Sequence, residues 1–386
     1  MSAWGNLLRA LGILAISGAL LILWSRGVRF YYRLRRPPPK LLRQRCSDGW
    51  KLGVHYRPAA RRCFAEPVLL CHGVAANYLN FDFDPPFSLA HVLAERGFDC
   101  FSVDWRGSGA SRRSPGRLPW ASYSVDDHIR KDAPALLQLA LQTTGSSQAF
   151  WVGHSLGGLI GLAAIQGEAA AGLRGLVTIG APVFFNYARP IQRVVRFARN
   201  AAWPYRFRQE LLSAALAPLL GRFVLPFSEV FIYPRHVPPE VQKKLYAHLI
   251  SSVGRGVLTQ MYQWILHNAF RSLDLRIDYR AGIQRIDHPL LFIAGSQDRL
   301  SPPLVVRGAF ELAPSSDKTL KVFGREHGDT QEYGHGDLIF GESAPREVFP
   351  FIAGWLASRA TPLNVDRARP PLSEASSPHD VRAGVG

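Results

Sequence analysis

Ala149-Phe150-Trp151-Val152-Gly153-His154-Ser155-Leu156-Gly157-Gly158-Leu159-Ile160-Gly161-Leu162-Ala163-Ala164-Ile165 is the stretch that decides how this chain folds. The apolar run before Gly153 predicts a buried strand, and the small-residue run from Leu159 predicts a helix able to pack closely on a sheet. Gly153-x-Ser155-x-Gly157 between them predicts a very tight turn. Such a turn forces its central residue into a strained conformation, and glycine two positions to either side removes the side chains that would collide. The Ser155 hydroxyl is then lifted clear of the sheet as a candidate nucleophile. In a chain with 34 glycines the short pattern alone also fits ordinary turn chemistry. The strand before it and the helix after it supply the context that the motif needs.

Working outward, the same alternation recurs. Leu41 to Cys46 and Lys51 to Tyr56, around Asp48-Gly49, predict a hairpin. Val68 to Cys71 predicts a short buried strand, Ser88 to Arg96 a helix, Asp99 to Val103 a strand, Val125 to Gln142 a helix and Gly175 to Ile179 a strand. Strands separated by helices imply an α/β fold with a mostly parallel central sheet covered on both faces. After Ala181-Pro182 about a hundred helical, basic and aromatic residues intervene before Pro289 to Ala294 resumes the strands, which makes that insertion a candidate lid. Arg189, Arg193, Arg196 and Arg199 recur there beside Ile191, Val194, Val195 and Phe197, as on an amphipathic basic helix. A solvated face and a membrane-contacting face fit that pattern equally. Trp203, Tyr205, Phe207, Phe223, Phe227, Phe231 and Tyr233 could line an acyl pocket or simply pack. The expected division is 1–36 anchor and basic flank, 37–182 first part of the core, 183–286 cap, 287–360 second part of the core, and 361–386 a disordered Pro/Ser-rich tail.

A serine hydroxyl needs a base to take its proton, and the base needs a carboxylate to orient it. On a strand-to-helix elbow the expected chain order is serine, acid, histidine. Asp298, in Gly295-Ser296-Gln297-Asp298 just past the resumed strand, is the candidate acid. Two histidines compete for the base, His327 after the strand Leu320 to Phe323 and His335 in Tyr333-Gly334-His335-Gly336-Asp337, and spacing does not decide between them. The oxyanion donors are expected to be the Leu156 N–H, next after the nucleophile, and the Val74 N–H in Cys71-His72-Gly73-Val74. His72 and His154 are read as structural.

The formal charge is +17. No nucleic-acid motif accompanies it and the arginines are scattered, so no nucleic-acid partner is expected and a basic membrane-facing surface accounts for the charge more simply. Ala10 to Trp24 carries no charge, and Arg26, Arg29, Arg33, Arg35 and Arg36 follow it. As a helix, Trp4 to Trp24 would span about 30 Å, the thickness of a bilayer core, with a tryptophan near each interface. No Ala-x-Ala-like cleavage site precedes the basic cluster, so a signal anchor is preferred to a cleaved signal peptide. The positive flank predicts the rest of the chain on the cytoplasmic side, against a secreted or periplasmic alternative. Pro37-Pro38-Pro39 reads as a stiff linker. Cys46, Cys63, Cys71 and Cys100 form no Cys-x-x-Cys pair, so no metal is expected, and Cys71 and Cys100 read as buried thiols.

From about Lys40 to Ala360 the chain resembles the α/β-hydrolase superfamily, and within it the acid lipase (gastric/lysosomal lipase-like) branch and related bacterial serine hydrolases. The carriers are His72-Gly73-Val74, Ser88-Leu89-Ala90 with Leu93-Ala94-Glu95-Arg96-Gly97-Phe98-Asp99, Gly153-His154-Ser155, and His335-Gly336-Asp337-Leu338-Ile339-Phe340-Gly341 with Ala344-Pro345 and Glu347-Val348. In that family the histidine opening the last block is the base, so the resemblance implies His335 rather than His327. It further implies an α/β-hydrolase fold with a helical cap, and hydrolysis of carboxylic esters of apolar acyl groups through an acyl-enzyme, with no cofactor or metal. Leu156 stands where the animal lipases carry glutamine, the cap diverges and an anchor replaces their secretory signal, so their triacylglycerol specificity does not transfer. Val103-Asp104-Trp105-Arg106 also echoes polyhydroxyalkanoate synthases, which use cysteine, and epoxide hydrolases and dehalogenases place aspartate at the elbow. An acyltransferase or thioesterase with the same triad, and an inactive membrane-bound scaffold, remain the alternatives.

Overall fold

The computed structural model of the chain describes residues 3–113, 123–187, 209–220 and 228–363, with single positions 189, 192, 193 and 196 between them. Strands β1 (Lys40–Arg45), β2 (Trp50–Arg57), β3 (Val68–Cys71), β4 (Cys100–Asp104), β5 (Arg112–Arg113), β6 (Ala149–His154), β7 (Leu173–Ile179), β8 (Leu290–Gly295) and β9 (Lys318–Phe323) form one sheet. Its order is β1-β2-β4-β3-β6-β7-β8-β9, with β5 beside β2. The hairpin β1–β2 and the β2–β4 pair are antiparallel, and every pair from β4 to β9 is parallel.

Period-2 alternation explains why the central strands are apolar throughout. On β6, Ala149 and Trp151 enter one hydrophobic cluster with Leu136 and Leu159. Phe150 and Val152, pointing the other way, join Leu89, Leu93, Phe349 and Ile352 in a second. The first face is covered by α3 (Ala133–Thr144) and α4 (Leu156–Ala164), the second by α2 (Leu89–Glu95) and α9 (Val348–Ala357). Ser88 caps α2 by accepting the His91 N–H at 3.1 Å. The expected helix from Val125 is interrupted by a π-helical turn over His128–Asp132. There the buried Arg106 guanidinium clamps Asp132, and His128 Nδ1 meets the same carboxylate at 2.9 Å.

Between Ile179 and Leu290 the chain leaves the sheet and forms α5 (Gln209–Leu216), α6 (Pro239–His248) and α7 (Arg255–His267). Arg189, Arg193 and Arg196 are helical and exposed as expected. Arg199, Ile191, Val194, Val195, Phe197, Trp203, Tyr205, Phe207, Phe223 and Phe227 lie outside the described residues. Helix α8 (Pro303–Leu312) follows β8.

Near the N-terminus, α1 (Ala3–Tyr31) runs 29 residues, and its stretch Arg9–Tyr31 is long and apolar enough to cross a bilayer. It is not isolated from the rest. Its final turns dock on the insertion through Trp24, Ser25 and Arg29, whose side chains donate to the carbonyls of Ala215, Leu211 and Ala247. At the other end, Thr361–Leu363 do not follow the disorder expected of the tail: Pro362 bridges Phe64, and the Thr361 carbonyl accepts the Ala65 N–H at 2.9 Å. Residues 364–386 lie outside the described residues.

Candidate active site

Ser155 ends β6 and starts α4 with φ 52° and ψ −118°, a strained left-handed conformation for a residue with a Cβ. The glycines make it possible. A Cβ on Gly153 would sit 2.4 Å from the Gly157 backbone, and one on Gly157 would sit 2.0 Å from the Cys71 carbonyl oxygen. The turn therefore packs backbone against backbone, as the spacing predicts. Ser155 is half-buried, and its own N–H is anchored to the Ile179 carbonyl at 2.8 Å.

The loop after β8 carries Asp298, and the loop after β9 carries His335. These loops meet at the elbow because β6, β7, β8 and β9 are parallel neighbours, so their carboxyl ends lie along one edge. His335 Nδ1 lies 2.8 Å from Asp298 Oδ2, and both side chains are buried. The other carboxylate oxygen, Oδ1, accepts the N–H groups of Leu300 (2.8 Å) and Ser301 (2.7 Å), so Asp298 cannot swing away. Tyr187 donates its hydroxyl to the Leu300 carbonyl, and burial followed by the charge of Asp298 pushes its pKa up, which keeps it a donor. His327, by contrast, ends an exposed 3-10 turn over Arg325–His327 and makes no contact with Asp298 or Ser155.

No hydrogen bond joins the Ser155 hydroxyl to His335 in this arrangement. Such contacts are often long in ligand-free enzymes and shorten when substrate binds. Gly180, at φ +57°, lets the histidine in. A Cβ there would sit 3.1 Å from both His335 Nδ1 and Asp298 Oδ2.

Three supports hold the His335 loop; His154 is expected from the sequence to be structural, whereas the partners it meets are not singled out there. His154 Nε2 meets the His335 carbonyl oxygen at 3.1 Å, and its Nδ1 meets the Asn80 side chain at 3.2 Å. Burial, reinforced by the neighbouring His335, lowers the His154 pKa to about 3, so its imidazole is neutral with a single N–H. With Nε2–H donating to His335, Nδ1 must accept, and turning the Asn80 amide over supplies the donor. The turn also employs the Asn80 Nδ2, otherwise buried without a partner. Asp337 holds the other side of the loop, accepting the N–H groups of Gly334 and Tyr233 at 3.0 Å each. Phe231, in the insertion, accepts the Gly336 N–H at 2.7 Å.

The two N–H groups expected to face an oxyanion are free of other duties: among the described residues, neither Val74 N–H nor Leu156 N–H is engaged within the chain. Both residues border a small cavity of about 30 Å³ together with Gly73, Trp105, Tyr123 and Val257, enough for a group the size of a water. Ala75, next after Val74, takes a positive φ of 58°, and its carbonyl is pinned by the Ser251 N–H of the insertion. His72 is structural. Its ring meets the Gly73 carbonyl at 2.7 Å and Ser108 at 3.2 Å, and burial lowers its pKa to about 4. Among the described residues no group of three His, Cys, Asp or Glu side chains could hold a metal, and all four cysteines are free.

Residues 66–329 match the family model described as alpha/beta hydrolase fold, and the chain belongs to that family. Human "Lipase member K" is 23% identical over 347 residues, which cover 78% of this chain and 84% of that one. Human "Gastric triacylglycerol lipase" is 24% identical over 351 residues, 81% of this chain and 86% of that one. Among solved structures, a monoglyceride lipase from Saccharomyces cerevisiae superposes with a TM-score of 0.56 at 20% identity, covering 86% of this chain and 98% of that one. A thermophilic esterase from Thermogutta terrifontis superposes with a TM-score of 0.54 at 18% identity, covering 83% of this chain and all of that one. The structural likenesses carry the fold.

Proposed function

We propose that this α/β-hydrolase is a membrane-anchored serine hydrolase of carboxylic esters with apolar acyl groups, an esterase or lipase in type. The observation that carries the reading is the buried Asp298–His335 pair delivered to the strained Ser155 elbow, 2.8 Å between Oδ2 and Nδ1. The names of its relatives support the reaction class, since a triacylglycerol lipase cleaves esters.

In this reading the Ser155 hydroxyl attacks the ester carbonyl carbon while His335 Nε2 takes its proton, and Asp298 stabilises the resulting imidazolium. The carbonyl oxygen becomes an oxyanion facing the Val74 and Leu156 N–H groups, which need no other partner to be given up. Collapse breaks the ester C–O bond, and His335 returns the proton to the departing alcohol. Water then attacks the acyl-enzyme, giving its proton to His335, and the carboxylic acid leaves as Ser155 is reprotonated. Helix α1 serves as the anchor, with the five arginines after Trp24 on the cytoplasmic side, and the insertion between β7 and β8 serves as the cap.

A panel of p-nitrophenyl esters of increasing acyl length, assayed on the full chain in detergent, tests the reading. Turnover of some member that Ser155→Ala removes supports it, whereas no turnover of any, or equal turnover by the variant, contradicts it.

A further inference from the structure

The docking of α1 on the insertion leaves an apolar stripe at a particular level. Helix α5 runs against α1 in the opposite direction: the carbonyls of Glu210, Leu211 and Ala215 accept in turn from Arg29, Ser25 and Trp24. Val28 and Ala217 are buried at this junction together with Ala247 of α6. The end of α5 and the turn beyond it therefore point back along α1 toward Leu21 and Leu20. On the face turned away from the junction, Leu212, Leu216 and Leu219 are 44%, 39% and 55% exposed. The spacing of four residues puts Leu212 and Leu216 on one side of the helix, and Leu219 follows in the turn beyond it. Beside them α1 exposes Leu20, Leu21, Leu23 and Trp24.

We propose that α5 enters the interfacial layer of a lipid bilayer alongside α1, its N-terminal end outward, with Leu212 at the headgroup boundary and Leu216 and Leu219 in the acyl region, so that the cap itself is membrane-bound. The inference rests on α1 being a bilayer span. Continuity argues for lipid as the occupant, because the stripe adjoins α1 where Trp24 and Ser25 hold Ala215 and Leu211, next to that helix's own exposed leucines. Depth agrees: Trp24, whose indole N–H is tied to Ala215, is the kind of residue that sits at the headgroup level, and the stripe passes it between Leu212 and Leu216. Charge agrees as well. Arg26 and Arg33 of α1 and Arg189, Arg193 and Arg196 of the insertion are exposed, as suits an amphipathic element on an anionic surface. The cap segment Phe231–Tyr233 is hydrogen-bonded to the His335 loop, so a cap seated in lipid would hold the mouth of the site at the membrane surface.

The test uses the full chain, with Cys63→Ser to remove the one cysteine that is not buried, reconstituted in vesicles of zwitterionic and anionic phospholipid. An environment-sensitive fluorophore is placed by L216C or L212C on the stripe, by L14C in the middle of α1, and by Q138C on the exposed side of α3. Quenching by lipids spin-labelled just below the headgroup is then read. The proposal expects L14C to respond to lipids labelled at the chain end. It expects L216C and L212C to be quenched by the shallow label at least about twofold more than Q138C, as for an element buried a few ångströms into the acyl boundary. L14C responding while both stripe positions behave like Q138C would overturn the proposal and leave the anchor standing. No response at L14C would overturn both. A blue-shifted but unquenched signal at L216C would mean that a second copy of the chain covers the stripe, which also overturns it.

Discussion

Asp298 gives one carboxylate oxygen to His335 Nδ1 at 2.8 Å and the other to the backbone N–H groups of Leu300 and Ser301, so the imidazole is fixed in one tautomer by a group that is itself fixed. That tautomer leaves the His335 Nε2 lone pair for the serine proton.

Replacing Asp298 by asparagine keeps the shape of the acid but lets its amide donate, which favours the wrong tautomer. Asp298→Asn is expected to lower kcat on a short ester by about 10⁴-fold, the scale seen when a triad aspartate is so changed, while the melting temperature stays near that of the parent. Retention of a tenth or more of the activity would remove Asp298 from the role.

The two histidines separate cleanly. His335→Ala should abolish measurable turnover, whereas His327→Ala, an exposed change distant from the pair, should leave kcat/KM within about twofold, as exposed substitutions usually do. The opposite result would exchange their assignments.

His154 and Asn80 hold the His335 backbone rather than touching the reacting atoms. His154→Ala is expected to lower kcat about tenfold or more with little change in KM, because a loosened base is misplaced only in the transition state. Equal changes in kcat and kcat/KM for Asn80→Ala, in the same direction and smaller, would fit the same chain of contacts.

The elbow makes a stability prediction. Gly157→Ala would drive a Cβ to 2.0 Å from the Cys71 carbonyl, a contact between two backbones that have no slack, and should cost about 3 kcal/mol or prevent folding outright. A melting temperature unchanged from the parent would show that the turn is looser than described.

Acid should destabilise the fold through its buried histidines. His72 and His154 have folded pKa values of about 4 and about 3, both lowered by burial, against an unfolded value near 6.5. Below pH 6.5 the unfolded chain gains protons that the folded chain refuses, so stability is full above pH 6.5 and falls as the pH drops toward 4 and then 3. Thermal melts of the full chain between pH 7.5 and 4 should show a steady fall, and His72→Asn should flatten it. A melting temperature that rises on acidification would reverse the sign.

Much of this is legible in the sequence alone. The alternation of apolar strands with helices announces the parallel sheet, and the glycines around Ser155 announce the elbow, because both are local patterns with one physical reading. Asp298 follows a strand end, and its place in the loop beside the elbow is legible for the same reason. The choice between His327 and His335 was not local: eight positions apart on one connection, they differ only in which of them the fold folds inward. Asn80 meeting His154 across 74 positions, and Phe231 of the cap meeting Gly336, have no sequence signal, since each contact exists only once distant loops have closed on one another. The docking of α1 on α5 and α6 was likewise hidden, because hydropathy reports the length of an apolar helix and says nothing of what its last turns touch.

Mass spectrometry of the full chain treated with a fluorophosphonate asks whether Ser155 is a nucleophile activated by His335. A single phosphonylated site is expected on the peptide carrying Gly153-His154-Ser155-Leu156-Gly157, with the label on Ser155 and its yield strongly reduced in His335→Ala. An unlabelled Ser155 in a folded chain, or labelling that does not depend on His335, would contradict that expectation.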